Sequence, residues 1–394
     1  MRQSRRPILL NAFDMNSVGH IQHGLWTHPR DRSVDYNTLG YWTRLARTLE
    51  RGLFDGLFIA DIVGVYDVYQ GGVDLTLRES IQLPVNDPML LVSAMAAVTE
   101  HLGFGVTVNL GYEPPYLLAR RFSTLDHLTD GRIGWNIVTG YLDSAARAMG
   151  QAGQLPHDER YDRADEYLEV LYKLWEGSWE DGAVRRDKAA RVFADPARVH
   201  RIVHHGKYFD VEGIHLSEPS AQRTPVLFQA GSSGRGLRFA GRHAECVFIV
   251  ATSKAAARRT VQSLREALVL AGRRPDDVKV FLAIAVLVAP TAAEARDKHA
   301  DYRDHASREA GLAHFAAAWA STSAATGSTR RWTTRWATPS NRTRAPRRSR
   351  AGRGASCSSC STSAAAIRRW SATPVRWPTS CSRGWTRPVS TAST

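Results

Sequence analysis

A segment that passes from an apolar run into a helix carries the first residues that could do chemistry. Residues 225–230 have the length and composition of a buried strand, and residues 234–244 have the pattern of a helix. Gly231, Ser232 and Ser233 join them, and small residues let an anion approach the unpaired N–H groups that begin a helix. The segment predicts a phosphate site; an ordinary strand-to-helix turn with a serine cap is the alternative.

Polar side chains also stand at the ends of three other predicted strands. They are Asp61, Thr107, Asn109, Asn136 and Thr139. Because parallel strands end at the same edge of a sheet, we expect these side chains to line one mouth. For each residue alone the alternative is structural, with Asp61 as a turn or cap residue and Asn136 as a satisfied buried amide.

Two further groups of residues could contact a ligand. His157 and Tyr161 are four apart at the start of a predicted helix and therefore face the same way, either into the mouth or outward as a surface pair. His20, His23 and Trp26 lie in a loop after the first predicted strand. No carboxylate set accompanies this loop, so its composition favours substrate contact over metal binding, with a solvated loop as the alternative.

The elements that must position these residues alternate along the chain. Strands are predicted at 7–13, 54–60, 103–110, 131–139, 225–230, 246–251 and 278–288. Helices are predicted at 38–52, 88–101, 115–128, 160–175, 234–244, 254–271 and 292–310. Continuously apolar strands alternating with helices predict an α/β fold with a parallel sheet. Seven such units, with insertions at 62–87 and 176–224, indicate a TIM (β/α)8 barrel without its last strand.

The net charge of +14 comes from one end of the chain. Residues 321–394 contain 14 Arg, no Lys, Asp or Glu, and five of the 11 Trp, which leaves residues 1–320 neutral. A neutral body gives no electrostatic reason to bind nucleic acid. The sequence therefore predicts a barrel domain at 1–320 and an Arg/Ser/Thr/Trp-rich, disordered tail at 321–394.

The composition of the tail matches translation in the wrong reading frame of a GC-rich gene. The codons of residues 385–394, regrouped one base earlier, can encode Val-Asp-Ala-Ala-Gly-Val-Asp-Gly, an ordinary helix end followed by a strand start. We therefore expect a frameshift near Ala320 that removed the eighth strand. A genuine basic tail that binds RNA is the alternative.

Cysteine usage and the N-terminus bear on location. Cys357 and Cys360 lack a second ligand pair, so no metal site is predicted, and Cys246 lies in an apolar run typical of a core. The N-terminal apolar run, at 8–10, is too short for a signal peptide or a membrane span. The expected location is the reducing cytoplasm.

The body has no convincing set of nucleophile, acid and base. It contains no Gly-x-Ser-x-Gly, no Walker loop, no His-Glu-x-x-His and no dinucleotide fingerprint after a strand. A phosphate site without such a set indicates that a cofactor carries the reactivity.

Several motifs, in order from about Ile8 to about Phe315, resemble the bacterial-luciferase-like flavin monooxygenases. The similar branch is that of nitrilotriacetate monooxygenase, dibenzothiophene sulfone monooxygenase and the large pristinamycin synthase chain. The motifs include Phe58-Ile-Ala-Asp61, Ser123-Thr-Leu-Asp-His-Leu128, Gly131-Arg-Ile-Gly-Trp-Asn-Ile-Val-Thr139, Arg160-Tyr-Asp-Arg-Ala-Asp-Glu-Tyr167 and Gln229-Ala-Gly-Ser-Ser233.

The resemblance implies a TIM barrel that binds reduced FMN from a separate NAD(P)H-dependent flavin reductase. O2 would be the co-substrate, and a C4a-peroxyflavin would oxidise a small organic substrate, a xenobiotic or a secondary metabolite. It also implies a homo-oligomer, a dimer or a tetramer. Two alternatives remain: another flavin or F420 oxidoreductase on the same barrel, and a non-catalytic protein whose basic tail binds nucleic acid.

The same resemblance implies roles for individual residues. It places Asp61 near the flavin, and Thr107 or Asn109 under the isoalloxazine ring. The residues implied at the ribityl phosphate are His157, Tyr161, Ser232 and Ser233. His20, His23 and Trp26 would be the catalytic residues on the substrate side.

Overall fold

The computed structural model describes residues 8–231 and 233–325. Its centre is a parallel sheet of seven strands in the order β1-β2-β3-β4-β9-β10-β11. These strands are β1 (Asn11–Met15), β2 (Gly56–Ala60), β3 (Gly103–Asn109), β4 (Ile133–Val138), β9 (Val226–Gln229), β10 (Cys246–Ile249) and β11 (Lys279–Leu282). The four strands between β4 and β9 belong to an insertion and form no part of this sheet.

The sheet curls into a half-barrel, which the contacts across it establish. The rings of Phe58 on β2 and Phe248 on β10 lie 4.2 Å apart, although three strands separate β2 from β10 in the sheet. Gly105 and Gly134 make room for this aromatic layer. A Cβ at Gly134 would lie 2.6 Å from a ring carbon of Phe228, so a larger residue there would displace the ring.

The described residues form ten α-helices, several of which cover the outer face of the sheet. They are α1 (Leu39–Arg51), α2 (Asp74–Arg78), α3 (Met89–Ala96), α4 (Pro115–Thr129), α5 (Asp143–Ala148), α6 (His157–Tyr172), α7 (Gly234–His243), α8 (Lys254–Leu270), α9 (Ala292–Asp304) and α10 (Arg308–Ala325). The main core packs α1, α3, α4 and α6 against the first four strands through residues such as Trp42, Trp135 and Leu168. Because each strand alternates its side chains, the other face is left to line the barrel interior.

The two predicted insertions differ in what they build. Residues 62–87 contain α2 and lie after β2, on the side where the strands end. Residues 176–224 form two antiparallel hairpins on the outside, β5 (Val184–Asp187) with β6 (Val192–Ala194), and β7 (Ile202–His205) with β8 (Asp210–Gly213). Only the first insertion can therefore contribute to the mouth.

The structure corrects two predicted elements. The strand predicted at 278–288 ends at Leu282, because the residues that follow have no neighbouring strand to pair with among the described residues. The helix predicted at 292–310 is two helices, α9 and α10. The helix is interrupted near Ser307, because the backbone N–H of Ser307 donates to the carbonyl oxygen of His23.

The observed fold is of the predicted α/β class and contains a curled parallel sheet of seven strands. The predicted loss of an eighth strand, and the boundary between 1–320 and 321–394, stay predictions, since residues 326–394 lie outside the described residues. Among the helices that the structure describes, none is long and apolar enough to cross a membrane.

Candidate active site

The start of α7 meets the start of α6 at the carboxyl ends of the strands. We call this region the phosphate corner; it comprises His157, Tyr161, Gly231, Ser233 and Gly236. Ser233 caps α7, its Oγ accepting from the Gly236 N–H at 3.0 Å, and His157 Nε2 lies 3.3 Å from the same Oγ. His157 and Tyr161 pack edge to face with ring centroids 5.2 Å apart, so the predicted pair does share a face of α6.

Glycine is required where this corner is narrowest. A Cβ at Gly231 would lie 2.3 Å from Gln229 Nε2 and 2.5 Å from the Tyr161 hydroxyl. A Cβ at Gly236 would lie 2.9 Å from the same hydroxyl. The backbone of the turn therefore faces Tyr161 directly, an arrangement that leaves N–H groups accessible to a bound anion. Ser232 lies outside the described residues.

Buried polar atoms without partners stand beside this corner. Gln229 Nε2 donates to the Tyr161 hydroxyl at 3.4 Å, while its Oε1 is buried and unpaired. Asn136 Nδ2 donates to Thr107 Oγ1 at 2.9 Å, and its Oδ1 is also buried without a partner. Arg160 Nε is in the same state, and burial lowers the pKa of its guanidinium. Such atoms in a folded protein mark places that suit a polar ligand or water.

A cavity of about 170 Å³ opens at the ends of β2 and β3. Its lining includes Asp61, Thr107 and Asn109, which the sequence predicted to lie together. Burial, with a smaller contribution from the charge of Asp87, raises the pKa of the Asp61 carboxyl to about 6, although a hydrogen bond from the Ile62 N–H partly offsets the rise. Asn109 is partly engaged, because its Oδ1 accepts from the Gly111 N–H at 2.8 Å.

A second group of side chains lies beyond that cavity, and we call it the histidine pocket. Its members are His20, His23, Tyr66, Gln82, Tyr141 and His314. His23 Nε2 and His314 Nδ1 are 2.8 Å apart, and the His314 ring lies 4.7 Å from the Tyr66 ring. The Tyr66 hydroxyl donates to Gln82 Oε1 at 2.8 Å and lies 2.8 Å from the Tyr141 hydroxyl. Gln82 Nε2 donates to the carbonyl of His20 at 2.7 Å, so a chain of hydrogen bonds joins the two tyrosines to the loop after β1.

Burial makes this pocket electrically neutral at pH 7. Burial, with a smaller contribution from the neighbouring His314, lowers the pKa of His20 and of His23 to about 4. It also raises the pKa of Tyr66 and of Tyr141. The pocket therefore offers neutral hydrogen-bonding groups rather than charges.

His20, His23 and Trp26 line one side of this region together, around a cavity of about 200 Å³. The described residues that line it include Asp14, Asp31 and Glu79 but no lysine or arginine. Burial raises the pKa of Asp14 to about 6. An anionic ligand would meet only repulsion from these side chains.

The sequence missed several of these residues. Tyr66 and Gln82 lie in the first insertion, Tyr141 follows β4, and His314 lies on α10, where no strand end or motif marks them. Arg160 stands between two predicted residues, His157 and Tyr161, and could have been found from that position. Pairings over such sequence separations leave no local signal.

The prediction of no metal site stays a prediction. Among the described residues, His28, Asp301 and His305 bring their ligand atoms within 4.8 Å of one another. However, His28 Nδ1 accepts from the Arg30 N–H at 3.1 Å, so its Nε2 carries the proton and donates to Asp301 at 2.9 Å. A metal ion would need that nitrogen deprotonated. His28, Asp301 and His305 instead form a hydrogen-bonded cluster that joins the loop after β1 to the C-terminal end of α9.

The curled parallel sheet with its phosphate corner defines a TIM-barrel-like α/β protein, and solved structures agree. A crystal structure of long-chain alkane monooxygenase superposes with a TM-score of 0.79 at 53% identity, over 80% of this chain and 73% of that one. Riboflavin lyase, solved with modified FMN and riboflavin, gives a TM-score of 0.76 at 39% identity, over 79% and 70%.

The family model described as luciferase-like monooxygenase matches residues 19–365, and the chain belongs to that family. Dimethyl-sulfide monooxygenase of Hyphomicrobium sulfonivorans is 55% identical over 311 residues, 79% of this chain and 65% of that protein. Dibenzothiophene-sulfone monooxygenase, a nitrilotriacetate monooxygenase component and one chain of pristinamycin IIA synthase are also relatives, which confirms the resemblance inferred from the motifs. The chain spans about two thirds of the length of the dimethyl-sulfide enzyme.

Proposed function

We propose that this chain is the oxygenating component of a two-component monooxygenase, which uses reduced FMN and O2 to oxidise a small organic molecule. The observation that carries the proposal is the phosphate corner. There, Tyr161 and His157 of α6 face the glycine turn and the serine cap of α7 at the carboxyl ends of the strands. Membership of the luciferase-like monooxygenase family supports the same activity.

The residues present fit FMN. A phosphate at the start of α7 would accept from its unpaired N–H groups and from the hydroxyls of Ser233 and Tyr161, and Ser232 is adjacent in sequence. The unpaired oxygens of Gln229 and Asn136 could accept from the hydroxyl and N–H groups of a flavin. A cradle in which a Cβ would collide suits a ligand held against backbone.

Each remaining site residue then has a role. Asp61, Thr107 and Asn109 would lie along the ring system, since they line the cavity at the strand ends. Reduced FMN, when bound, supplies the activation of O2. The chain's own task is to orient the ring and to exclude water from it. The packed aromatic layer around Phe58 and Phe248 provides an apolar surface inside the barrel that serves this purpose.

The histidine pocket is the proposed substrate side. Its neutral imidazoles and phenols can donate to or accept from an uncharged substrate, whereas the acidic side chains beside it disfavour carboxylates. His20, His23 and Trp26 would bind the substrate, and Tyr66, Gln82 and His314 would hold the two histidines in place. The relatives' names include a thioether and alkanes among their substrates.

Two partners follow from the proposal. Reduced FMN requires a separate NAD(P)H-dependent flavin reductase, and the names of two relatives describe each as one part of a larger enzyme system. A homo-oligomer, a dimer or a tetramer, is proposed for the enzyme itself.

We further propose that the half-barrel lacks its closing strand because of the altered reading frame. The segment after β11 is apolar yet open to solvent, with Ile284 69% and Val288 68% exposed. Such a surface is typical of a strand without its neighbour. A gene with the restored frame should give a chain that binds FMN more tightly than this one. Equal affinity in the two chains would contradict the proposal.

The function is tested by titrating the purified chain with FMNH2 under anaerobic conditions and then adding O2 and candidate substrates. A flavin reductase and NADH sustain turnover, and the substrates are a dialkyl sulfide, an n-alkane and matched carboxylates. We expect saturable FMNH2 binding, and O2 uptake coupled to product with the uncharged substrates. Binding of reduced F420 in place of FMNH2, or no flavin binding in the frame-restored chain, would overturn the proposal.

A further inference from the structure

Helix α6 presents three side chains at intervals of four residues, and all three face α7 or the turn before it. His157 approaches Ser233, Tyr161 faces Gly231 and Gly236, and Asp165 contacts α7 itself. Residues at i, i+4 and i+8 lie one above the other on a helix. The phosphate corner and Asp165 are therefore parts of one stripe.

Asp165 binds three side chains of α7. Its Oδ2 accepts from Arg235 NH2 at 2.6 Å and lies 3.1 Å from Arg242 NH1, while its Oδ1 accepts from His243 Nε2 at 2.7 Å. Arg235 belongs to the first turn of α7, and Arg242 and His243 to the last. One carboxylate thus holds both ends of the helix.

Arg235 connects this contact to the phosphate corner. Its guanidinium lies 5.6 Å from the centroid of the Tyr161 ring, and its NH2 also donates to Asp162 at 2.8 Å. The Asp165 side chain is 13% exposed and the Asp162 side chain 58%. The two carboxylates therefore offer a matched comparison, because both bind Arg235 but only one is buried.

The apolar contacts of α7 are divided between α6 and α8, with the Phe239 ring 5.4 Å from the Tyr161 ring. Ala240 packs into a separate cluster with α8, and Phe239 is the residue of α7 that joins the main core. Burial raises the pKa of the Asp165 carboxyl, but hydrogen bonds from His243 and Arg235 outweigh it and hold the pKa below its usual value. Removing one partner of a buried ion network leaves the others unpaired, so such a network favours the one arrangement of its elements in which every member is paired.

We propose that Asp165 is a positioning residue that sets the register of α7 on α6 and so holds Ser233 opposite His157 and Tyr161. The identity of the ligand, the FMN phosphate, rests on the proposed function. A shift of α7 along α6 would separate the groups that converge on the phosphate. The flavin affinity depends on that convergence, whereas the histidine pocket contains no residue of α7 in the described structure.

The experiment compares Asp165→Asn with Asp162→Asn in the full chain. Fluorescence titration under anaerobic conditions gives the Kd for FMNH2, and O2 uptake gives the rate at saturating flavin. We expect Asp165→Asn to raise Kd roughly 10-fold, as a broken buried charged contact does, with the saturated rate within about 2-fold. Asp162→Asn should change Kd by less than about 2-fold.

Hydrogen–deuterium exchange of residues 231–243 in the flavin-free chain supplies a second readout. It should accelerate in Asp165→Asn and not in Asp162→Asn, because only the first releases both ends of α7. Should Asp165→Asn fail to fold, Arg235→Lys keeps the charge but loses the planar fork, and we expect it to raise Kd at an unchanged melting temperature.

Unchanged exchange, or an unchanged Kd in a chain that merely melts earlier, would overturn the positioning role. A frame-restored chain that binds no FMNH2 would overturn the proposed function instead. The exchange comparison would then still decide whether Asp165 fixes α7.

Discussion

The phosphate corner and the histidine pocket are built in opposite ways. The corner brings together the N-terminal ends of two helices, α6 and α7, and the short turn between β9 and α7. The pocket draws on the loop after β1, the first insertion, the segment after β4 and helix α10. The corner thus rests on regular elements with few degrees of freedom, whereas the pocket depends on loops docking against one another.

The difference teaches where a barrel of this kind can vary. A phosphate is recognised by backbone N–H groups and a helix terminus, which every sequence with small residues at the turn can supply. A substrate is recognised by side chains, and those of the pocket lie mainly on connecting segments that tolerate change. Cofactor binding and substrate choice should therefore respond separately to substitution.

Gly231→Ala should break the corner and give the largest effect. Its Cβ would meet Gln229 Nε2 at 2.3 Å and the Tyr161 hydroxyl at 2.5 Å, so one of the three groups must move. We expect the Kd for FMNH2 to rise at least ~100-fold, as misplacement within a tight site does. Gly311→Ala is the matched control, since a Cβ there meets nothing within 4 Å, and it should raise stability by ~0.5 kcal/mol. Tight FMNH2 binding by Gly231→Ala would refute the cradle.

His314→Leu should break the pocket and leave the corner intact. It removes the partner of His23, whose Nε2 lies 2.8 Å from His314 Nδ1. We expect the rate of substrate oxidation to fall ~100-fold, the usual scale for a misplaced catalytic histidine, with Kd for FMNH2 unchanged. His314→Asn keeps a polar atom near the Nδ1 position and should lose less. A parallel loss of FMNH2 affinity in His314→Leu would show that the two regions are not separate.

The pH dependence of stability should arise mainly on the pocket side. His20 and His23 have pKa values of about 4 in the folded chain against 6.5 when unfolded. Between these values the unfolded chain binds more protons, so the stabilisation is complete above pH 6.5 and is lost as the pH falls toward 4. Each histidine contributes up to ~1.4 kcal/mol per pH unit, measured by urea unfolding at several pH values.

Three other groups also contribute to the pH dependence of stability, and His23→Gln separates their contribution from that of His23. His215, buried beside Ser123 outside the pocket, titrates in the same sense with a pKa of about 4. The raised pKa values of Asp14 and Asp61, about 6, act in the opposite sense between pH 3.8 and 6. His23→Gln should therefore flatten the profile without abolishing it. A profile unchanged by His23→Gln would contradict the assignment.

Asp61→Asn should give the smallest of these effects. Asp61 lies in the cavity at the ends of β2 and β3, between the phosphate corner and the histidine pocket. Because the pKa of Asp61 is raised to about 6, its charge at pH 7 destabilises the folded chain, and this penalty disappears as the pH falls toward 3.8. We expect the variant to be more stable by ~1 kcal/mol at pH 7 and unchanged near pH 4, measured by urea unfolding. Equal stability of the variant and the wild type at pH 7 would show that burial of the Asp61 carboxylate does not destabilise the folded chain.

The sequence predicted the corner better than the pocket for a physical reason. Ser233, His157 and Tyr161 stand at a strand end or a helix start, where local patterns of small, polar and apolar residues are informative. His23 and His314 meet across 291 residues, and no local pattern encodes that contact. The strand predicted at 278–288 failed similarly, because apolar periodicity reports what a segment could bury and not whether a neighbour exists.

The aromatic layer of the half-barrel also constrains how this sequence can change. The side-chain space at Gly134 and the ring of Phe228 occupy one shared volume, since a Cβ on the first would lie 2.6 Å from the second. The combined side-chain volume at positions 134 and 228 is therefore limited by the packing. A substitution can increase the volume at one position only if the volume at the other decreases. A larger residue at 134 therefore requires a smaller one at 228 and a small shift of the Val226 carbonyl oxygen, which would lie 3.0 Å from the same Cβ.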